Sequence, residues 1–258
     1  MCSRKNVTRN RKSLDALVIS DLHYVDRAEH VCPIEVRRTG LGPALVHAAL
    51  ENLDSLGVHV DLSIILGDIV DNGLAPGAEE DLAAVAGALR EARVPVLAVP
   101  GNHDGEYARF AGVFGCRAGL HVVGGYGFLI FHDQVGEGQV TTRPAEWLGL
   151  PAQAAAQRRD LALIALQHNP LYVEGEHEYP YVLANADAVL AGYREAGVVL
   201  SLSGHYHPGE PLCRVDGVPC YTAPAACEAP FRFAHLRLVG REVEVYEMAI
   251  AHRCEWQD

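Results

Sequence analysis

The sequence has little positive charge, no long apolar run and no regular spacing of cysteines. Its 258 residues include 21 Lys and Arg against 33 Asp and Glu, which gives a net charge of −12. Five of the basic residues lie in the first twelve positions, so the remainder has 16 basic and 33 acidic side chains, a net charge of −17. Such a surface repels a phosphate backbone, and we expect no duplex nucleic acid as a partner.

The basic first residues and the body that follows them differ in composition. We predict that residues 1–13 form a disordered basic tail and that residues 14–258 form one domain, because no linker, repeat or low-complexity tract interrupts them. A chain of this length can bury a large core without cross-links. The sequence alone does not predict the oligomeric state.

The cysteines fit neither a disulfide framework nor a thiolate zinc site. There are seven, an odd number, and no two have the CxxC spacing. No apolar run approaches the roughly 20 residues needed to cross a bilayer, and residues 14–20 are too few for the apolar core of a signal peptide. We therefore expect a cytoplasmic protein that does not bind membranes.

Short β-rich runs alternate with helical patterns along the chain. Residues 14–20, 61–67 and 94–100 are predicted strands, and residues 41–56 and 77–92, which lie between them, are predicted helices. This order predicts a parallel sheet with right-handed crossovers. Further on we predict strands at 161–168 and 198–205, a helix at 181–197, a hairpin around Asp216-Gly217 and two strands in 231–250.

Polar side chains that bind metals follow five of the predicted strands. These residues are Asp21 and His23, then Asp68 and Asp71, then Asn102 and His103, then His168, and finally His205 and His207. In open α/β sheets the carboxyl ends of the strands meet at one edge, where ligands bind. We therefore expect these side chains to form one shared site.

Seven of these residues suffice as protein ligands for two metal ions. They are Asp21, His23, Asp68, Asn102, His168, His205 and His207. If Asp68 bridges, each metal has four protein ligands. Imidazole, carboxylate and amide ligands without thiolate favour Mn, Fe or Zn over a soft metal or calcium. Two divalent ions outweigh two carboxylates and one hydroxide, so the site attracts phosphate in spite of the acidic body.

The predicted chemistry is phosphoryl transfer to water. Two adjacent metals lower the pKa of a shared water, and the resulting hydroxide attacks phosphorus while the metals stabilise the oxygens. His103 is the candidate general acid for the leaving group, and Asp71 or Asp104 is the candidate to orient its imidazole. For Asp104 we favour another interpretation, a cap of the helix that follows.

The motifs DLH, GDIVD, GNHD, a single histidine and GHYH, in this order over residues 21–207, resemble the calcineurin-like metallophosphoesterase superfamily. The resemblance implies a four-layer αββα sandwich with mixed β-sheets. It also implies that one metal is held by Asp21, His23, Asp68 and His207. The second metal would be held by Asp68, Asn102, His168 and His205.

Departures from the family pattern narrow the implied substrate. The protein Ser/Thr phosphatases of this superfamily have an arginine after the second aspartate of GDxxD and a GNHE motif. Here Asn72 and Asp104 occupy those positions, which argues against a phosphoprotein substrate. The chain is more similar to class III cyclic-nucleotide phosphodiesterases and to ADP-ribose/CDP-alcohol diphosphatases. We therefore expect hydrolysis of a phosphodiester bond in a small, nucleotide-like substrate.

Other functions remain open at this stage. A pyrophosphatase acting on nucleotide-diphosphate conjugates or a phosphomonoesterase could use the same site. A non-catalytic binding module would have lost ligands or His103, and an amidohydrolase barrel carries its HxH motif on the first strand. From their positions near strand ends, Tyr24, His132 and Asp133 are the candidate substrate contacts.

Overall fold

The computed structural model describes residues 12–27, 32–175 and 181–250. The strands are β1 (Ser13–Ile19), β2 (Leu62–Ile65), β3 (Val96–Ala98), β4 (Gly119–Val123), β5 (Tyr126–Ile130), β6 (Gln134–Val135), β7 (Thr141–Thr142), β8 (Leu163–Leu166), β9 (Leu200–Ser203), β10 (Glu210–Val215), β11 (Val218–Thr222), β12 (Arg232–Val239) and β13 (Glu242–Ala249). The helices are α1 (Gly42–Ser55), α2 (Ala78–Glu91), α3 (Tyr107–Phe114), α4 (Ala145–Leu148), α5 (Leu150–Gln157) and α6 (Ala186–Ala196).

Two mixed sheets form the centre of the molecule. One has the order β13-β12-β1-β2-β3, in which β1, β2 and β3 are parallel and β12 is antiparallel to both β1 and β13. The other has the order β10-β11-β9-β8-β5-β4, in which β5, β8, β9 and β11 are parallel. Helices α1 to α3 cover the first sheet and α4 to α6 the second. The four-layer αββα sandwich is therefore confirmed.

The central strands are apolar on both faces because each face packs into a core. In β8, Ile164 and Leu166 belong to the core between the two sheets, whereas Leu163 and Ala165 belong to the core under α4 to α6. Successive side chains of a strand point to opposite faces, so a strand covered on both sides is a continuous apolar run. The run in residues 161–168 has this origin.

The helix predicted at 181–197 begins later in the structure, at Ala186. The side chain of Asn185 is engaged elsewhere: its Oδ1 accepts from the backbone N–H of Arg143 at 3.1 Å, and its Nδ2 donates to the Arg143 carbonyl at 2.9 Å. This pairing holds the chain ahead of the helix in a non-helical conformation. The two-residue strands β6 and β7, which pair with each other, were also not predicted.

Residues 1–11 of the predicted tail lie outside the described residues, and Ser13 already belongs to β1. Among the described residues no helix combines the length and the apolar character required to cross a bilayer.

Candidate metal centre

The parallel strands of both sheets end at one edge of the sandwich, and the predicted ligands follow them there. The segment after β1 continues its pairing beyond the strand itself. The Asp21 N–H donates to the Gly67 carbonyl at 3.1 Å, and the His23 N–H donates to the Asp68 carbonyl at 2.9 Å. The first two motifs are thus tied together by backbone hydrogen bonds before any side chain contributes.

Four of the predicted ligands have a backbone conformation that side-chain-bearing residues rarely adopt. Asp21, His23, Asp68 and His205 have φ values of 52°, 44°, 48° and 67°. Positive φ is uncommon outside glycine and costs of the order of 1–3 kcal/mol per residue, so it persists only where the surroundings enforce it. The packed loops aim these four side chains at a common point.

Glycines in the motifs allow the loops to approach closely. A Cβ on Gly101 would lie 2.2 Å from Asp68 Oδ1, and a Cβ on Gly204 would lie 1.9 Å from Ser20 Oγ. Neither position has space for a side chain. The glycines that precede Asn102 and His205 are therefore required by the assembly of the site.

Asp21, His23 and His207 form the first group of facing ligand atoms. His23 Nε2 lies 3.3 Å from His207 Nε2, and Asp21 Oδ1 lies 3.6 Å from His207 Nε2. Three potential ligand atoms from the ends of β1 and β9 thus converge. They come from different sheets, so the group lies between the two layers.

Asp68, His168 and His205 form the second group. His168 Nε2 lies 3.3 Å from Asp68 Oδ2 and 3.2 Å from His205 Nδ1. The same Asp68 oxygen is 3.7 Å from His23 Nε2, in the first group. Asp68 Oδ2 therefore lies between the two groups, as a bridging ligand must.

Two acceptor atoms at this edge of the sandwich indicate that the site suits bound cations. Asp21 Oδ1 and Asn102 Oδ1 are buried and have no hydrogen-bond partner. Buried acceptors without a donor are rare, because desolvation without compensation costs free energy. A bound cation would satisfy both atoms. Together with the imidazoles of the two groups, they form a donor set that suits Mn, Fe or Zn.

The charges of Asp68 and His168 depend on each other. Burial tends to raise the pKa of Asp68, but the nearby His168 and His23 hold that pKa well below its usual range. Burial tends to lower the pKa of His168, but the Asp68 carboxylate raises it to about 10. The Asp68 carboxylate thus favours the protonated form of His168 in the absence of metal, and metal binding would displace that proton.

Outer contacts fix the orientation of the histidines. His168 Nδ1 donates to the Leu66 carbonyl at 2.7 Å, and His207 Nδ1 donates to the Glu228 carboxylate. In each ring Nε2 is therefore the atom directed at the cluster. Glu228 was not among the residues predicted from the sequence. Its position after the β10–β11 hairpin, 21 residues beyond His207, gives no spacing signal.

His103 lies beside the first group. Its ring meets His23 edge-on, with centroids 4.7 Å apart and planes at 83°. Its Nδ1 donates to the backbone carbonyl of Asp71 at 2.6 Å. The Asp71 carboxylate Oδ1 lies 3.4 Å from His23 Nδ1 and 3.7 Å from an Arg37 guanidinium nitrogen. Asp71 thus orients His103 through its main chain.

Asp104 does not cap the following helix, in contrast to the interpretation that the sequence favours. Helix α3 has Glu106 at its N-cap, without a side-chain hydrogen bond. Asp104 is fully buried and accepts from the backbone N–H groups of Gly101 at 2.7 Å, Ile69 at 2.7 Å and Val70 at 3.1 Å. Burial, together with the nearby Asp68 carboxylate, raises its pKa to about 7. Asp104 therefore joins two motif loops.

Tyr24 is not positioned to contact a substrate, whereas Asp133 lines a cleft beside His132 but has its carboxylate paired. Tyr24 is 7% exposed and belongs to the core, where Gly42 leaves no room for a Cβ against its ring. The Asp133 carboxylate accepts from two nitrogens of the buried Arg143 guanidinium, at 2.7 and 2.8 Å. Burial in the core corrects the expectation for Tyr24, whereas a substrate contact by Asp133 stays a prediction.

His132 does face open space next to the ligands. It lines a cleft of about 420 Å³ that also includes Asn102, His168 and Tyr107. A second cleft, of about 610 Å³, includes Asp71, Asn102, His103 and His205. The ligand cluster is thus accessible from two adjoining depressions.

Comparison with known proteins yields related families and structures. A family model described as calcineurin-like phosphoesterase matches residues 14–209. A probable cyclic nucleotide phosphodiesterase of Fibrobacter succinogenes is 26% identical over 223 residues, which cover 83% of this chain and 80% of that protein.

Solved structures show the same fold at low sequence identity. A dimetal phosphatase from Danio rerio aligns with a TM-score of 0.68 and 16% identity, covering 94% of this chain and all of that one. The protein TT1561 of Thermus thermophilus aligns with a TM-score of 0.61 and 16% identity, covering 90% of this chain and 98% of that one.

Proposed function

The chain belongs to the calcineurin-like phosphoesterase family and is a metal-dependent phosphoesterase; from this premise we propose that it hydrolyses phosphodiester bonds in a small, nucleotide-like substrate. The proposal rests on one observation, the two facing ligand groups with Asp68 Oδ2 between them. The similarity to a probable cyclic nucleotide phosphodiesterase supports the diester and the nucleotide parts of the proposal.

We assign the ligands to two ions. Asp21, His23, Asp68 and His207 would hold one, and Asp68, Asn102, His168 and His205 the other. When bound, two divalent ions supply an activated water and positive charge for the phosphoryl oxygens. Mn, Fe and Zn all accept imidazole, carboxylate and amide ligands, so we leave the choice among these three open.

His103 is assigned as the general acid. Its Nδ1–H is held by the Asp71 carbonyl, so Nε2 is the atom that can deliver a proton to the leaving oxygen. After the transfer, the neutral ring keeps the tautomer that this hydrogen bond requires. His103 also lines the larger of the two clefts, where a leaving group can reach it.

The surroundings of the site support a small substrate in a reducing compartment. The clefts have the volumes of small-molecule sites, and the acidic body disfavours a nucleic-acid duplex. Cys32, Cys116, Cys213, Cys220 and Cys227 are free thiols. Free thiols are typical of cytoplasmic proteins, and we assign the protein to the cytoplasm on this basis.

The experiment compares two model esters. Metal-stripped protein, reconstituted with Mn²⁺, should hydrolyse bis(p-nitrophenyl) phosphate faster than p-nitrophenyl phosphate, and chelator should abolish the reaction. Asp68→Ala and His103→Ala should lose activity, whereas Arg158→Ala, on the surface of the second helical layer, should retain it. Hydrolysis of the monoester alone would contradict the assignment as a phosphodiesterase. A metal-loaded protein that hydrolyses neither ester would contradict the enzymatic assignment.

A further inference from the structure

Two aromatic rings are stacked next to the ligand cluster, and neither belongs to a proposed metal ligand. The rings of Tyr107 and His132 are nearly parallel, with an interplanar angle of 11° and centroids 3.8 Å apart. Both line the 420 Å³ cleft that also contains Asn102 and His168. A flat π surface and two of the proposed metal ligands therefore share one depression.

Neighbouring contacts hold the two rings in place. Tyr107 is the first residue of α3, and its hydroxyl accepts from the backbone N–H of Ala118 at 2.8 Å. His132 immediately precedes Asp133, whose carboxylate is clamped by the Arg143 guanidinium. Both rings are partly exposed, and each packs against the face of the other. A rigid surface of this kind costs little entropy when a ligand binds to it.

The Tyr107–His132 stack is suited to bind a flat, neutral group of a ligand. Burial lowers the pKa of His132, which favours the neutral ring and its π face over a positive charge. Stacking on such a face is strong for planar bases. In addition, Gln134 lines the cleft, and its amide provides donors and an acceptor for the edge of a base.

The other cleft is less suited to a base. Asp71, Asn72, His103, Gln139, Thr141 and His205 line most of it, and among the described residues it contains no tyrosine, phenylalanine or tryptophan. A second aromatic pair, Tyr181 and Tyr206, lies near His205, with the Tyr181 centroid 6.5 Å from that of His205, but neither tyrosine lines this cleft. A base therefore finds stacking partners in the cleft of Tyr107 and His132, whereas mostly polar side chains line the other cleft.

We infer that the Tyr107–His132 stack binds the nucleobase of the substrate, with His132 as the contact and Tyr107 as the positioning residue behind it. The inference rests on the proposed phosphodiesterase function and makes it specific: the substrate is a nucleoside phosphodiester whose base lies in the 420 Å³ cleft.

The test uses two diesters that release the same p-nitrophenolate. One is the p-nitrophenyl ester of thymidine 5′-phosphate and the other is ethyl p-nitrophenyl phosphate, which has no base. We expect the Mn²⁺-loaded protein to prefer the nucleoside ester in kcat/KM. His132→Leu should reduce that preference by about 5- to 150-fold, the factor that corresponds to 1–3 kcal/mol of stacking per base.

Further variants separate stacking from general damage. His132→Phe keeps an aromatic face and should keep the preference, and His121→Leu, on the neighbouring strand β4, should leave it unchanged. A preference that survives His132→Leu, or an equal loss for both esters, would overturn the inference. If the unmodified protein hydrolyses neither ester, the proposed function itself fails. If it hydrolyses both equally well, only the nucleobase site fails.

Discussion

Two clusters of buried polar side chains differ in how completely their hydrogen bonds are satisfied. One is centred on Arg143 and satisfies its own hydrogen bonds. The other is the ligand cluster around Asp68, which leaves acceptor atoms without partners. Asp133 and Arg143 belong to the first, and His132, directly before Asp133, lines the cleft of the second.

The Arg143 cluster is closed. Its guanidinium donates to both oxygens of Asp133, to the Tyr193 hydroxyl and, at 3.2 Å, to Gln167 Oε1. It also lies 3.5 Å from the centroid of the Phe131 ring. Burial opposes the charge, yet Tyr193 and Asp133 raise the pKa of Arg143 above its usual value. Every part of this buried cation has a protein partner.

The ligand cluster is open. Its histidines face one another at 3.2 and 3.3 Å, and two of its oxygen acceptors have no donor. Four of its residues have positive φ. Within one protein, then, one buried polar cluster satisfies its own hydrogen bonds, whereas the other leaves acceptor atoms that a bound cation would satisfy. Substitutions should separate the two by their effects on activity and on stability.

The largest effect should come from Asp68→Asn, which removes the carboxylate that lies between the two ligand groups. Hydrolysis of bis(p-nitrophenyl) phosphate should fall to the background rate. The asparagine is similar in size to the aspartate, so far-UV circular dichroism of the metal-free protein should not change. A variant that keeps most of its activity would show that the cluster does not need this carboxylate.

Arg143→Met should be next, and it should act on stability. It leaves the buried Asp133 carboxylate without its partner, and removal of one member of a buried ion pair costs about 3–5 kcal/mol. Urea unfolding of the metal-free protein measures this loss. Arg158→Met, which breaks an exposed pair with Asp160, is the matched control and should unfold like the unmodified protein. Equal stabilities of all three proteins would show that the closed cluster does not stabilise the fold.

A smaller effect is expected for Glu228→Ala, which removes the acceptor of the His207 Nδ1 hydrogen. Loss of such an outer contact typically costs 10–100-fold in metal affinity. Titration with Mn²⁺ by isothermal calorimetry would measure it. Glu228→Gln retains an acceptor and should bind with intermediate affinity. If Glu228→Ala binds Mn²⁺ as tightly as the unmodified protein, Glu228 does not orient His207.

The smallest effect should come from Tyr24→Phe. Tyr24 follows the ligand His23 directly, but its ring lies in the core against Gly42. Phenylalanine preserves this packing, so kcat and KM for the diester should stay at their original values. A rise in KM alone would show that the Tyr24 hydroxyl contacts the substrate and that Tyr24 belongs to the binding site.

The difference between the two clusters also explains what could be predicted from the sequence. The proposed ligands of the open cluster come shortly after strands, as Asp68 comes after β2 and His168 after β8, and the ends of parallel strands meet at one edge. Strand prediction alone was therefore sufficient to group them. The apolar runs that mark those strands also predicted the α/β layers.

The closed cluster could not be predicted in this way. Arg143 follows the short strand β7 directly, and its partners Asp133, Gln167 and Tyr193 come from a loop, another loop and a helix. No periodic pattern relates such positions. Asp104 is a similar case, because its three backbone donors become adjacent only when two loops pack together. Contacts of this kind depend on tertiary packing and leave no local signal.

The number of metal ions bound per chain tests directly whether the open cluster is a dinuclear metal site. Protein reconstituted with Mn²⁺ and freed of excess metal would be analysed by inductively coupled plasma mass spectrometry, beside Asp68→Asn and Arg158→Ala. We expect two metal ions per chain in the unmodified protein and in Arg158→Ala, and fewer in Asp68→Asn. An unmodified protein without bound metal, or an Asp68→Asn variant with the full complement, would contradict the account.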